Sequence, residues 1–121
     1  MRGTWMVAIG AALFCGLATA QAFAQGPRQF SGIASYYDKN YAGKTASGDR
    51  YDGTKFTAAH RTLPFGTRLR VTDRRSRRSV TVVVNDRGPF IKNRVLDLSY
   101  AAANALGMQR RGLLRVTAAV E

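Results

Sequence analysis

Apolar and polar residues alternate along two stretches of this chain. Thr67 to Thr72 places Leu69 and Val71 on one face and Arg68 and Arg70 on the other, and Leu113 to Val120 places Leu114, Val116, Ala118 and Val120 on one face. A period of two marks a strand with one buried face. Val80 to Val84 is almost continuously apolar and reads as a buried strand. "GIASYY" at Gly32 to Tyr37 and "VLDL" at Val95 to Leu98 read as two more, and Phe56 to His60 as a short extended segment. Leu63-Pro64-Phe65-Gly66 is a turn, and Asp73 to Arg78 is a polar hairpin tip. Ser99 is a good N-cap for the alanine-rich helix "YAAANALG", which Gly107 ends. Asp97, just before that helix, is expected to satisfy its N-terminal amides. Asp38 to Gly53 is a long polar loop, and in a short chain such a loop is usually functional. About six short strands and one helix in so few residues predict a mainly β fold. A closed barrel is the economical form, because closure leaves no exposed sheet edge.

The N-terminus is excluded from this fold. Arg2 supplies a positive start, Met6 to Ala18 is mostly apolar, and "AFA" at Ala22 to Ala24 offers small residues to a signal peptidase. Residues 1–24 are therefore expected to be a secretory signal peptide, 25–31 a leader, and 32–121 the barrel. Cys15 is the only cysteine, and Phe14 precedes it where a lipoprotein signal needs a small residue, so no lipidation is expected. Cleavage would leave no cysteine and hence no disulfide or thiol chemistry. No stable membrane insertion is expected afterwards. The protein is placed in the periplasm or cell envelope, as a monomer.

Charge adds a partner class. The whole chain carries +12, and removal of Arg2 with the signal peptide leaves +11. An exported protein this basic meets cell-wall glycan, teichoic acid or lipid phosphate, and its export argues against nucleic acid. The arginines at 74, 75, 77 and 78 form either an anion-binding patch or a solvated turn.

The chemistry narrows quickly. There is one histidine and there are seven carboxylates. Asp73 belongs to the arginine hairpin, Glu121 is terminal, Asp38 opens the loop and Asp97 adjoins the helix. Asp49, Asp52, Asp86 and His60 remain. A lone histidine with scattered aspartates lacks metal-ligand spacing, so no metal or cofactor is expected. Asp86 comes straight after the buried run in "VVVNDRGPF", which makes the strand a rigid mount for it. Strand alternation would turn Arg87 outward, toward substrate anions.

"GIASYY", "GKTASGDRYD", "TAAHRTLPFGTRLRVT", "VVVNDRGPF" and "RVLDLSYAAANALGM" occur here in one order over nearly all of residues 32–120. Together they resemble the rare lipoprotein A (RlpA) family of secreted double-psi β-barrel proteins, several of which are endolytic peptidoglycan transglycosylases. The resemblance implies a six-stranded double-psi barrel with one short helix. It implies a catalytic group of Asp49, Asp52, His60 and Asp86; Arg87, Tyr36, Tyr37 and Arg61 are expected to bind the substrate. Many members have glutamate where this chain has Asp49, one methylene longer.

The implied reaction is cleavage of peptidoglycan glycan strands. An acid protonates the leaving oxygen while positive charge develops on the sugar ring. Such an acid must hold its proton near neutral pH, which burial or a like-charged neighbour promotes, and Asp86 is the candidate. In a lytic transglycosylase the substrate's own muramic acid 6-hydroxyl attacks and closes a 1,6-anhydro ring. His60 would orient Asp86 or simply bond to backbone, and Asp49 and Asp52 would take part or cap turns. The alternative function is a polysaccharide-binding barrel that does not cut. A third reading is a basic coat on envelope polymers.

Overall fold

The computed structural model describes residues 28–121. The expected signal peptide, its cleavage site and Cys15 lie outside the described residues. Six strands form: β1 (Gln29–Tyr36), β2 (Thr57–Ala59), β3 (Arg68–Asp73), β4 (Ser79–Asp86), β5 (Arg94–Leu98) and β6 (Leu114–Val120). They close into a barrel in the order β1-β5-β2-β4-β3-β6, with β6 returning to β1. β1 with β5 and β2 with β4 run parallel, and the other neighbours are antiparallel.

The alternation seen in the sequence builds this wall. Along β3, Leu69 and Val71 are buried while Arg68 and Arg70 are exposed, and β6 repeats the pattern with Val116 in and Arg115 out. Val82 and Val84 of β4 are fully buried at the centre with Leu69, Val71, Leu96 and Leu98. Helix α1 (Tyr100–Ala105) lays Ala102 and Ala103 on this core. Ser99 Oγ caps it by accepting from Ala102 N at 3.2 Å. Gly107, with φ of 73°, then leads into a 3-10 turn at Met108–Arg110, and the missing Cβ is what makes that left-handed conformation easy.

Two boundaries and one cap differ from expectation. β1 begins at Gln29, inside the expected leader, because Gln29, Phe30 and Ser31 pair with Ala119, Ala118 and Thr117 of the long strand β6. β4 continues past its apolar run to Asp86, which pairs with Ala59. Asp97 does not cap α1, since Ser99 already does; its carboxylate instead accepts from Ser35 Oγ on the neighbouring strand.

Candidate active site

The site starts from strand register. Ser35 of β1 pairs with Asp97 of β5, Asp97 pairs with Ala59 of β2, and Ala59 pairs with Asp86 of β4. Residues paired directly across strands point to the same face. Ala58, Val84 and Leu98, each next to a member of this row or one removed from it, point into the core. A register shift between Ala58 and Ala59 skips Asn85 and brings Asp86 level with Ala59, so the row Ser35-Asp97-Ala59-Asp86 sets two half-buried aspartates alternately with two small buried residues. With strands spaced at about 4.8 Å, the two aspartate backbones stand roughly 9–10 Å apart. Both aspartates are half-buried.

Asp86 is held by three donors. Tyr37 Oη donates to Oδ2 at 2.5 Å, and the backbone amides of Ala46 and Arg87 donate to Oδ1 at 2.8 Å each. Ala46 belongs to "TASG", whose conformation is fixed by Thr45 N bonding to Asp49 O at 2.7 Å and by Ser47 N bonding to Asn85 O at 3.2 Å. The long loop is thus laid over the end of β4. Tyr37 follows β1 and stacks on Tyr51, with ring centroids 4.6 Å apart, while Tyr41 tilts against both rings. Burial, then the bond to the Asp86 carboxylate, pushes the Tyr37 phenol well above the ordinary range, so it remains a donor.

Asp97 has a poorer set of partners. Ser35 Oγ is its one side-chain donor among the described residues. A Cβ placed on Gly88 would lie 3.8 Å from Asp97 Oδ2, so this turn adjoins the carboxylate without covering it with a side chain. Asp97 was passed over in the sequence because it stands two residues before a helix. The available signal was its place between Leu96 and Leu98, which alternation sends inward, leaving Asp97 on the outer face.

His60 is buried, and its ring bonds to backbone. Nδ1 accepts from Thr62 N at 3.1 Å and Leu63 N at 3.0 Å, which leaves Nε2 to carry the proton of the neutral ring. Its contact with Asp86 is through main chain, His60 N to Asp86 O at 3.1 Å. Burial, then the charges of Arg87 and Arg61, hold it below the usual histidine range.

The two arginines hold the protein's own backbone. Arg87 does not face outward as alternation implied, because β4 ends at Asp86 and the period of two ends with it. Its Nη1 donates to His60 O at 3.1 Å and Leu63 O at 2.8 Å, and its guanidinium lies 4.0 Å from the centre of the Phe65 ring. Arg61 bonds to the carbonyls of Pro89, Ile91 and Arg94 at 2.6, 3.3 and 2.7 Å. Tyr36 packs against the core, its ring tilted against that of Tyr100 with centroids 6.3 Å apart.

Asp49 and Asp52 are exposed and line a separate hollow with Lys55 and Asn85, the residue before Asp86. Asp52 caps its own turn, accepting from Thr54 N at 2.9 Å and Thr54 Oγ1 at 2.7 Å, and these bonds hold it below the usual carboxylate range. The structure thus brings Asp86, Tyr37 and Asp97 together, holds His60, Arg87 and Arg61 behind them, and sets Asp49 and Asp52 to one side. No three histidine, cysteine or acidic side chains gather as a metal set among the described residues.

A closed six-stranded barrel with two parallel pairs and a pair of aspartates on its wall defines the class, a double-psi β-barrel. The family model described as lytic transglycolase matches residues 29–118, and the chain belongs to that family. Over 90 residues it is 54% identical to a protein of Nostoc sp. named probable endolytic peptidoglycan transglycosylase RlpA, covering 72% of this chain and 24% of that one. Over 86 residues it is 50% identical to the endolytic peptidoglycan transglycosylase RlpA of Haemophilus influenzae, covering 70% of this chain and 30% of that one. The chain therefore spans about a quarter to a third of these relatives. Among solved structures it is similar to Streptomyces papain inhibitor, with a TM-score of 0.64 at 24% identity, covering 79% of this chain and 96% of that one. The apo expansin of Clavibacter michiganensis gives a TM-score of 0.60 at 23% identity, covering 77% of this chain and 50% of that one. Both share the fold.

Proposed function

We propose that this barrel cleaves the glycan strands of peptidoglycan as a lytic transglycosylase, with Asp86 and Asp97 as the reacting pair. The observation that carries the reading is their unequal settings within one row: three donors on Asp86, one side-chain donor on Asp97. Two carboxyl groups in different environments can take opposite acid–base roles. Asp97 donates a proton to the glycosidic oxygen as the bond from C1 breaks. Asp86, ionised, stabilises the positive charge on the ring and receives the proton of the muramic acid 6-hydroxyl as that oxygen bonds to C1. The product is a 1,6-anhydro end, with neither water nor an enzyme nucleophile consumed. A proton then returns from Asp86 to Asp97 through solvent.

Asp86 moves from acid to base in this scheme, because both of its oxygens already serve as hydrogen-bond acceptors. His60 is a positioning residue: its amide bonds the Asp86 carbonyl, and its ring shapes the turn that receives Arg87. The names of the relatives support the glycan as substrate, and the expected signal peptide supports action outside the cytoplasm. Closure of the barrel supports a monomer. Incubation with purified glycan strands, followed by separation of the products, tests the proposal. Shortened strands with anhydro ends are expected, and strands that stay intact would refute it.

A further inference from the structure

One surface feature has no part in proton transfer. Phe90 is 79% exposed and Ile91 is 56% exposed, side by side on the β4–β5 connection. Phe90 is the most exposed large hydrophobic side chain among the described residues. Its backbone is not loose. Gly88 and Pro89 just before it are buried, and Arg61 ties the carbonyls of Pro89, Ile91 and Arg94 to one guanidinium. A rigid fork holding three carbonyls fixes the curve of the connection on either side of Phe90.

The ring also stands in a defined place. A Cβ on Gly88 would meet the Phe90 ring at 3.6 Å and Asp97 Oδ2 at 3.8 Å, so the ring and the carboxylate flank the same glycine. Gly88 has φ of 125°, a conformation that side-chain-bearing residues rarely adopt. Across the row, Tyr41 is 43% exposed and packs on Tyr37, the donor to Asp86. The aspartate row is therefore bordered by an aromatic ring near each carboxylate.

We infer that Phe90, with Ile91 beside it, is a sugar-binding subsite: a platform on which one pyranose ring of the glycan stacks its apolar face. A six-membered sugar whose substituents are equatorial presents axial C–H bonds on a flat face, and an aromatic face matches it. Stacking gives up apolar water contact on both sides, and the rigid mount means little ordering is needed on binding. A ring fixed next to Asp97 holds one sugar of the strand beside that carboxylate, equally in the bound and reacting states. Arg61 acts through the platform as a positioning residue. The inference rests on the proposed glycan cleavage, but its test is separable.

The experiment measures binding of soluble glycan strands alongside steady-state cleavage, for the parent, Phe90→Ala, Phe90→Trp and Arg61→Gln. Phe90→Ala is expected to weaken binding and raise KM about tenfold, the effect of losing one good aromatic contact, while kcat stays within about twofold. Phe90→Trp should restore binding, and its emission should shift to the blue on adding glycan. Trp5 is the chain's sole tryptophan, so the parent supplies the blank. Arg61→Gln should weaken binding without adding to the loss in Phe90→Ala. Parental affinity in Phe90→Ala, or a Phe90→Trp emission indifferent to glycan, overturns the platform and leaves the catalytic reading intact. A parent that binds and shows the Phe90 effects but cuts nothing supports the platform and refutes the catalysis. A parent that binds no glycan overturns both.

Discussion

Asp86 and Asp97 stand in one row across the barrel wall with a single residue, Ala59, between them. They lie on different strands and owe their proximity to pairing on both edges of the three-residue strand β2. Their partners differ as much as their positions agree. Asp86 is gripped on both oxygens, whereas Asp97 accepts from the Ser35 hydroxyl.

Tyr37→Phe keeps the ring stacked on Tyr51 and removes one donor from Asp86. A hydrogen bond to a charged group contributes about 1.5–3 kcal/mol, so cleavage should fall at least tenfold with glycan binding retained. The chain has five tyrosines, all within the described residues. Absorbance titration of the parent should show some of them failing to ionise in the ordinary range, because Tyr37 and Tyr51 are both pushed up. Tyr37→Phe should remove amplitude from that late group only. Loss from the early phase would contradict the buried bond to Asp86.

Stability should respond to pH in two windows. Folded His60 sits below its usual 6.5, so below that pH the unfolded chain takes up the proton first and stability falls. His60 is the only histidine, so His60→Gln should flatten the slope as pH falls below the usual 6.5. For Asp73, burial alone would raise the carboxyl, but bonds from Ser76, Arg111 and the Arg75 amide outweigh it and hold it at about 2. Its stabilisation is full above the usual 3.8 and is lost as pH falls from there toward 2. Denaturant titrations across these ranges check both; an unchanged slope in His60→Gln would contradict the first.

Asp73 also organises the basic hairpin. It is 1% exposed, and Arg111 Nη2 reaches it at 2.8 Å. Asp73→Ala should destabilise the barrel by about 2–3 kcal/mol, because a buried acceptor is lost to the Arg111 guanidinium, the Ser76 hydroxyl and the Arg75 amide. Neutralising the exposed arginines at 74, 75, 77 and 78 should leave stability nearly unchanged. If they engage anionic wall polymer, sacculus binding will weaken and its salt dependence will flatten. Unchanged binding makes the hairpin a solvated turn.

Much of the barrel was legible in the sequence. The alternation of β3 and β6, the apolar run of β4, the Ser99 cap and the Gly107 stop are local signals, and the structure carries them through. The site was legible in part. Asp86 and His60 stood out among the few titratable residues, Asp86 because it follows an apolar run, and Tyr37 was expected on the substrate. Asp97 could not be placed beside Asp86, because β1-β5-β2-β4 is an order of non-local pairings that periodicity does not encode. Arg87 and Arg61 read as free cations in sequence, but their partners are backbone carbonyls on other segments, which no side-chain pattern announces. Asp49 and Asp52 lie close to Asp86 through Asn85, yet face another hollow.

That separation makes its own forecast. Asp49 is exposed, its carbonyl rather than its carboxylate holds Thr45, and Asp52 caps Thr54. Asp49→Glu should keep activity within about threefold of the parent, and Asp52→Asn should lower cleavage far less than a change at Asp86. A loss at Asp52 equal to that at Asp86, measured on the same glycan, would move the reacting pair into the neighbouring hollow.

Mass spectrometry of glycan strands after incubation with the parent, Asp86→Asn and Asp97→Asn tests the central claim most directly. Asparagine keeps the shape of each side chain and removes its ability to exchange a proton, and such catalysis contributes typically about 10²–10⁴-fold. The parent should release strands with 1,6-anhydromuramic ends, and each variant should lose activity by about that factor while still binding glycan. Reducing ends in place of anhydro ends would show that water attacks. An Asp97→Asn protein as active as the parent, or a parent that releases nothing from any strand, would contradict the account.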